Sequence, residues 1–341
     1  MNDSPQSLNL PEKTIRGLLP KQLPRRREIR YAGGAAHGRL ESDFSAEEAE
    51  TLRTLYRELG ELMELTGKRD ASEGGNSLAA ASLKSFASKT PILRIGNEIE
   101  SYEEAAAATH DSRLTTLFRE LVDGPFASLY GILFLVGSAG VEPEYFQTLF
   151  YLARDQRKIM RSILPDLDPA GRERDEIKKL HSVKLLVEKW RDAVYRAFER
   201  ELEVSFESAF DGVVAERCVE FAEVDRLFYH LANNAIRHGS DDRLAIQIFE
   251  TRDGKDLIWV FSNPVSDNQA AHLRNLADGL TSVFDYGVGE GPGVGLGSVA
   301  ESVAHAYGIE SPEQAVTAGY VGTVVSDGCF RLWFHWPKVA E

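Results

Sequence analysis

One run, Gly287-Val-Gly-Glu-Gly-Pro-Gly-Val-Gly-Leu-Gly297, constrains this chain more than any other, because six of its eleven residues are glycine. It opens an apolar, small-residue segment, Ser298 to Tyr307, that ends at Gly308 and reads as a helix. Glycines let backbone N–H groups approach a ligand closely, and a helix N-terminus adds partial positive charge. Gly291, Gly293, Gly295, Leu296 and Gly297 are therefore candidates for a phosphate cradle. Composition alone fits a glycine-rich surface loop equally well.

Two familiar phosphate loops are excluded. A Walker A loop needs GxxxxGK[ST], and Gly67-Lys68 is followed by Arg69. A dinucleotide fingerprint needs its glycines directly after a strand, with an acidic residue about twenty positions on. Here Leu280 to Tyr286 reads as an irregular lid, and the helix after the glycines runs into Gly308. A partner lies upstream in Asp225-Arg-Leu-Phe-Tyr-His-Leu-Ala-Asn-Asn-Ala-Ile-Arg-His238. Leu227, Leu231 and Ala235, with Phe228 and Ala232, recur at helical spacing, which predicts a buried helix. Its polar quartet is Asn233, Asn234, Arg237 and His238. Amide oxygens can hold a hydrated Mg²⁺, and an arginine one turn later can reach a phosphate. Ordinary polar capping is the plainer explanation of the quartet taken alone.

The order of these segments, an Asn-Asn-Ala-Ile-Arg-His helix, two strands, then Gly-Val-Gly-Leu-Gly on a helix, resembles the ATP-binding domain of the GHKL group, which includes histidine kinases, gyrase B and MutL. The resemblance spans roughly residues 181–338 and implies an α/β sandwich that binds ATP and Mg²⁺. It places the Mg²⁺ ligand at Asn234, a phosphate contact at Arg237, and the triphosphate wrap at Gly293, Gly295 and Gly297. The chain departs from the group after the strand Leu257 to Ser262, where DxGxG is usual. Asn263 stands at the aspartate position, with Asp267 as the fallback. An amide oxygen can accept the adenine N–H, but without charge assistance.

Charge narrows the remaining possibilities. A net charge of −14 argues against a general nucleic-acid binder. Residues 1–40 hold eight Lys/Arg and three Asp/Glu, a net +5 that leaves the rest at −19. Residues 1–44, with Pro5, Pro11, Pro20, Pro24 and Arg25-Arg-Arg27, therefore read as a flexible basic tail. Two cysteines, Cys218 and Cys329, make no disulfide framework and suit a reducing, cytoplasmic setting. No secretory signal is expected at the start. No apolar run approaches a membrane span, so no integral membrane segment is expected. His230, His238 and His305 lack zinc-site spacing.

Between tail and sandwich the pattern is helical, giving an α+β chain. Residues 45–100 form a helical N-terminal region and linker. Ser45-Ala-Glu-Glu48 is a capping box for an amphipathic helix over 46–66, and 67–90 reads as a linker or weak helix. Residues 101–170 form a helical hairpin. A second capping box is expected at Ser101 to Glu104, then a long helix kinked at Gly124-Pro125, a turn at Gly137 to Gly140, and a helix from Pro143. Two such stripes cannot be buried by the pair alone, so a homodimer forming a four-helix bundle is expected. This hairpin resembles the dimerisation and phosphotransfer domain of histidine kinases, which implies a response-regulator receiver domain as partner.

The phosphoacceptor is the open question. His110 followed by Asp111 is one candidate, with Asp111 orienting the imidazole and taking its proton. Aligning Pro125 with the proline usual in that family puts Glu120 at the acceptor position, a box without its histidine. His181 reads as structural. Three functions compete: a histidine kinase acting through His110, a non-catalytic adaptor of the same architecture, and a serine kinase of the anti-sigma-factor type. The last is disfavoured by the hairpin.

Overall fold

The computed structural model describes residues 8–9, 13–14, 40–67, 73–198, 200–276, 279–284 and 295–339. These fall into two compact units, one helical and one built on a sheet. Of the expected basic tail, most lies outside the described residues; Leu8 is an exception, buried against Ala245 and Cys329 of the sheet unit.

The helical unit begins with α1 (Ala46–Gly67). Its capping box forms as expected: the Ser45 amide donates to Glu48 Oε2 at 2.7 Å, and the Glu48 amide to Ser45 Oγ at 3.2 Å. Of the stretch read as a linker or weak helix, Glu73–Lys89 is helical (α2), followed by α3 (Ile92–Ala108). The expected capping box at Ser101 is absent. Ser101 lies inside α3 with its hydroxyl donating to the Asn97 carbonyl at 3.0 Å, so its side chain serves the preceding turn. Then come α4 (Ser112–Asp123) and α5 (Pro125–Ser138), bent by 46° where Gly124 and Pro125 break the ladder. The hairpin closes with α6 (Pro143–Ile163), Pro143 in its first turn, and α7 (Pro169–Glu176) follows.

The hairpin's stripe is covered within the single chain. Leu117, Phe118, Leu121, Leu129, Leu133, Leu149, Leu152 and Ile159 are all buried, with α1 packed along α6 and α3 along α4. That cover is present without a second copy, because the apolar faces of α1 and α3, Leu52, Leu55, Leu59 and Ile92, Ile95, Ile99, complete the core. No single described helix is long and apolar enough to cross a membrane.

The sheet unit starts with β1 (Lys178–Ser182), α8 (Lys184–Trp190), β2 (Ala193–Ala197), β3 (Arg200–Ser208) and β4 (Val213–Arg217). The long helix α9 (Cys218–His238) follows, then β5 (Arg243–Glu250), β6 (Asp256–Pro264) and α10 (Asp267–Arg274). A 3₁₀ turn (Gly279–Phe284), α11 (Gly295–Tyr307), α12 (Pro312–Thr317), β7 (Val321–Ser326) and β8 (Cys329–Pro337) complete it. Six strands form one mixed sheet in the order β2-β3-β5-β6-β8-β7, and β1 pairs with β4 separately. The β7–β8 turn uses Asp327 and Gly328 at φ 51° and 65°, the paired positive values that a tight Asp-Gly hairpin needs.

α9 lies on one face of the sheet because its apolar positions face a row of large rings. Phe228 meets Phe261 and Trp259 edge-on, with centroids 5.0 and 5.3 Å away, and Trp259 and Phe261 stack on Phe334. His181, expected to be structural, stacks on Phe221 of α9 at 4.8 Å. This packing sets where the polar positions of α9 point.

Candidate nucleotide site

The two segments singled out by sequence are neighbours in the sheet unit. α9 packs against α11, the helix headed by the glycine run. A buried polar clamp joins them. The Arg226 guanidinium pairs with the Glu223 carboxylate, the Ser302 hydroxyl donates to the same carboxylate, and Arg226 Nη2 donates to Ser302 Oγ at 3.1 Å. Burial raises the Glu223 carboxyl pKa, but Arg226 and the Ser302 hydrogen bond outweigh it and hold the net value below the usual range. The Glu223/Arg226 spacing is legible in the sequence as an i,i+3 ion pair. Ser302, 76 positions beyond Arg226, is not.

Consecutive asparagines on a helix point about 100° apart, and the structure gives them different work. Asn233 is turned into the unit, 2% exposed, with its Oδ1 accepting from the Tyr195 hydroxyl at 2.8 Å. That bond ties α9 to β2, and Asn233 Nδ2 has no hydrogen-bond partner. Asn234 is half-buried, and its Nδ2 has no hydrogen-bond partner. A hydrated cation would be held through the Asn234 Oδ1, and the open Nδ2 is a donor left for an acceptor. Arg237 and His238 are exposed at the last turn of α9. Partial desolvation and the adjacent Arg237 guanidinium hold His238 below its ordinary pKa.

The end of β6 is tied to the same end of α9. Gln269 Nε2 donates to the His238 carbonyl at 2.7 Å, and the Ser240 amide to the Pro264 carbonyl at 3.1 Å. Asn263, on β6, is buried, and its Nδ2 donates to the Pro264 carbonyl at 3.2 Å, leaving the amide oxygen to accept. Asp267 is exposed in the first turn of α10, behind the Ser266–Gln269 capping box. Asn234, Arg237, His238, Asn263 and Asp267 thus gather around one end of the α9–β6–α10 layer. Gly295, Leu296 and Gly297 form the first turn of α11, whereas Gly291 and Gly293 lie outside the described residues. The expected lid is described only as far as Phe284, which is buried with Val283 in the 3₁₀ turn packed against α11, β7 and α10.

His230, one turn before Asn234, is fully enclosed, and its Nε2 has no partner. Burial and the nearby Arg226 and Arg237 push its pKa down to about 3, with Glu223 acting the other way, so it is neutral at physiological pH. Among the described residues no group of three His, Cys, Asp or Glu side chains is arranged to hold a metal.

The phosphoacceptor candidate sits elsewhere, and not on a helix. His110 has φ 60° and occupies the turn between α3 and α4. The His110 amide donates to the Ala107 carbonyl and the Asp111 amide to the Ala106 carbonyl, each at 3.0 Å, which is a Schellman cap on α3. Asp111 Oδ1 caps α4, accepting from the Leu114 amide at 2.9 Å. Glu120, the other aligned position, is buried in α4.

An asparagine-bearing helix and a glycine-headed helix side by side over a mixed sheet, following a helical unit, define the class of arrangement. No family model matches the chain, and no curated protein does. Solved structures similar to it include the Acinetobacter baumannii histidine kinase AdeS, at TM-score 0.28 and 17% identity over 62% of this chain and 94% of that one. ShkA in complex with AMPPNP gives TM-score 0.29 and 16% identity over 70% of this chain and 47% of that one. Histidine kinase ThkA in complex with response regulator protein TrrA gives 0.28 and 11%, over 71% of this chain and 66% of that one.

Proposed function

We propose that this chain is a histidine-kinase-like signalling protein whose sheet unit binds Mg-ATP between the C-terminal half of α9 and the glycine run leading into α11. The carrying observation is the clamp of Glu223, Arg226 and Ser302, which holds the asparagine-bearing and glycine-headed helices side by side. Asn234 lies eight residues past Arg226 (234 − 226), about 12 Å of helix, and Gly295 seven residues before Ser302 (302 − 295), about 10 Å. Those matched offsets are what an antiparallel pair needs to bring asparagine and glycines to one end. Asn234 would hold the Mg²⁺, Arg237 and the amides at Gly291, Gly293, Gly295, Leu296 and Gly297 the phosphates, and Asn263 or Asp267 the adenine amino group. His238, beside Arg237, would line the phosphate end. Bound Mg-ATP would supply a neutralised, activated γ-phosphate; the chain's own groups bind it, orient it and exclude water.

For the helical unit the geometry favours the adaptor over the kinase. His110 is the sole histidine among that unit's described residues, and it sits in a turn whose neighbouring carboxylate is already committed. In this reading the bundle docks a response-regulator receiver domain, and the nucleotide acts as a conformational ligand. Self-association would use the apolar face of α5, where Gly131, Phe134 and Leu135 are exposed at helical spacing. Cytoplasmic residence is part of the same reading, resting on the lone cysteines.

The test is incubation with γ-labelled ATP, followed by acid and base treatment and, separately, a nucleotide titration. Binding without label supports the adaptor. Acid-labile, base-stable label that is lost in His110→Ala would establish the kinase instead. Absence of any nucleotide binding would remove both readings.

A further inference from the structure

On the sheet face opposite α9 lies a buried guanidinium that has no ion-pair partner among the described residues. Trp259, Phe261 and their cross-strand partners point toward α9, so by alternation Ser262 and Arg331, directly paired across β6 and β8, point away from it. Both are enclosed, at 1% and 2% exposure. Arg331 Nη1 donates to the Ser326 carbonyl at 2.7 Å and to the Ser326 hydroxyl at 2.8 Å, both neutral oxygens. Its Nε has no acceptor, and the Ser262 hydroxyl has no partner. No carboxylate among the described residues forms an ion pair with this guanidinium.

A guanidinium does not give up its proton, and an unpaired ion is costly to bury. With Nη1 engaged, the open edge carries Nε and Nη2, whose parallel N–H bonds match two oxygens of a carboxylate or phosphate. Burial pushes the Cys329 thiol up in pKa and the Asp327 carboxylate adds to that shift, while Arg331 and Arg243, the latter paired with Asp241, oppose it. Leu8 rests on Ala245 and Cys329, next to the Ser262–Arg331 pair along the same strands.

We propose that Arg331 and Ser262 form a binding site for a small oxyanion, a carboxylate or phosphate group, on the outer face of the sheet with Leu8 as its cover. The site is separate from the nucleotide and does not rest on that reading. The test uses the full chain without Mg²⁺ or nucleotide, melted in increasing sodium phosphate or sodium acetate against sodium chloride of equal ionic strength. One of the two anions should raise the melting temperature saturably, by roughly 3–6 °C at tenfold its half-saturating concentration. A response to phosphate alone assigns a phosphate-bearing ligand, and a response to acetate a carboxylate. Arg331→Met should abolish the response. If that variant does not fold, Arg331→Lys, which keeps charge but loses the two-pronged edge, should raise the half-saturating concentration at least tenfold. A flat response to both anions in the wild type overturns the proposal. So does a response that survives Arg331→Met, or is unchanged in Arg331→Lys.

Discussion

Replacing Arg226 with Met should destabilise the sheet unit in a way that depends on pH. The substitution keeps most of the side chain's bulk but leaves the Glu223 carboxylate buried, with the Ser302 hydroxyl as its remaining neighbour in the clamp. Removing one member of a buried ion pair costs about 3–5 kcal/mol at neutral pH, or roughly 10 °C in melting temperature for a unit of this size. In the wild type, Glu223 titrates below its unfolded value, so its contribution is present above the unfolded carboxyl range and is lost as pH falls through the folded value. Without Arg226 the desolvation cost dominates and the sign reverses: the folded carboxyl titrates above the unfolded one, and acidification relieves the penalty. The gap between wild type and Arg226→Met in urea-unfolding free energy should therefore be largest near pH 8 and shrink toward pH 5. Arg226→Met/Glu223→Gln should recover most of the loss. A gap constant over that range, or no recovery in the double variant, would show that Glu223 and Arg226 are not coupled as described.

Other outcomes follow from single residues. Asn234→Ala should weaken Mg-nucleotide binding by about tenfold in calorimetry while leaving the melting temperature nearly unchanged. Asn233→Ala should instead lower stability by about 1–2 kcal/mol through loss of the Tyr195 hydrogen bond, read in chemical denaturation. His110→Gly should stabilise the helical unit by a few tenths to about 1 kcal/mol, because glycine adopts the positive φ of the cap without strain. His230, titrating near pH 6.5 when unfolded and at about 3 when folded, takes up its proton first in the unfolded chain. Stability should therefore fall as pH drops from about 6.5 toward 3, and His230→Asn should move the acid-unfolding midpoint to lower pH.

The features legible before folding lie within one or two turns of chain. The Ser45–Glu48 box, the break at Gly124-Pro125, the proline start at Pro143 and the Asp327-Gly328 hairpin depend on a few consecutive residues, and local sterics and capping decide such features. The rings on β6 and the apolar period of α9 likewise announced a buried helix over a strand. Tertiary structure decided the rest. The 3.6-residue period cannot say which of two adjacent asparagines meets Tyr195. Nor can it show that α1 and α3 cover the hairpin, or that His110 ends a helix instead of riding on one. Arg331 is the extreme case, an arginine in a strand whose burial appears only in the folded sheet, because desolvation of a charge is a property of everything around it.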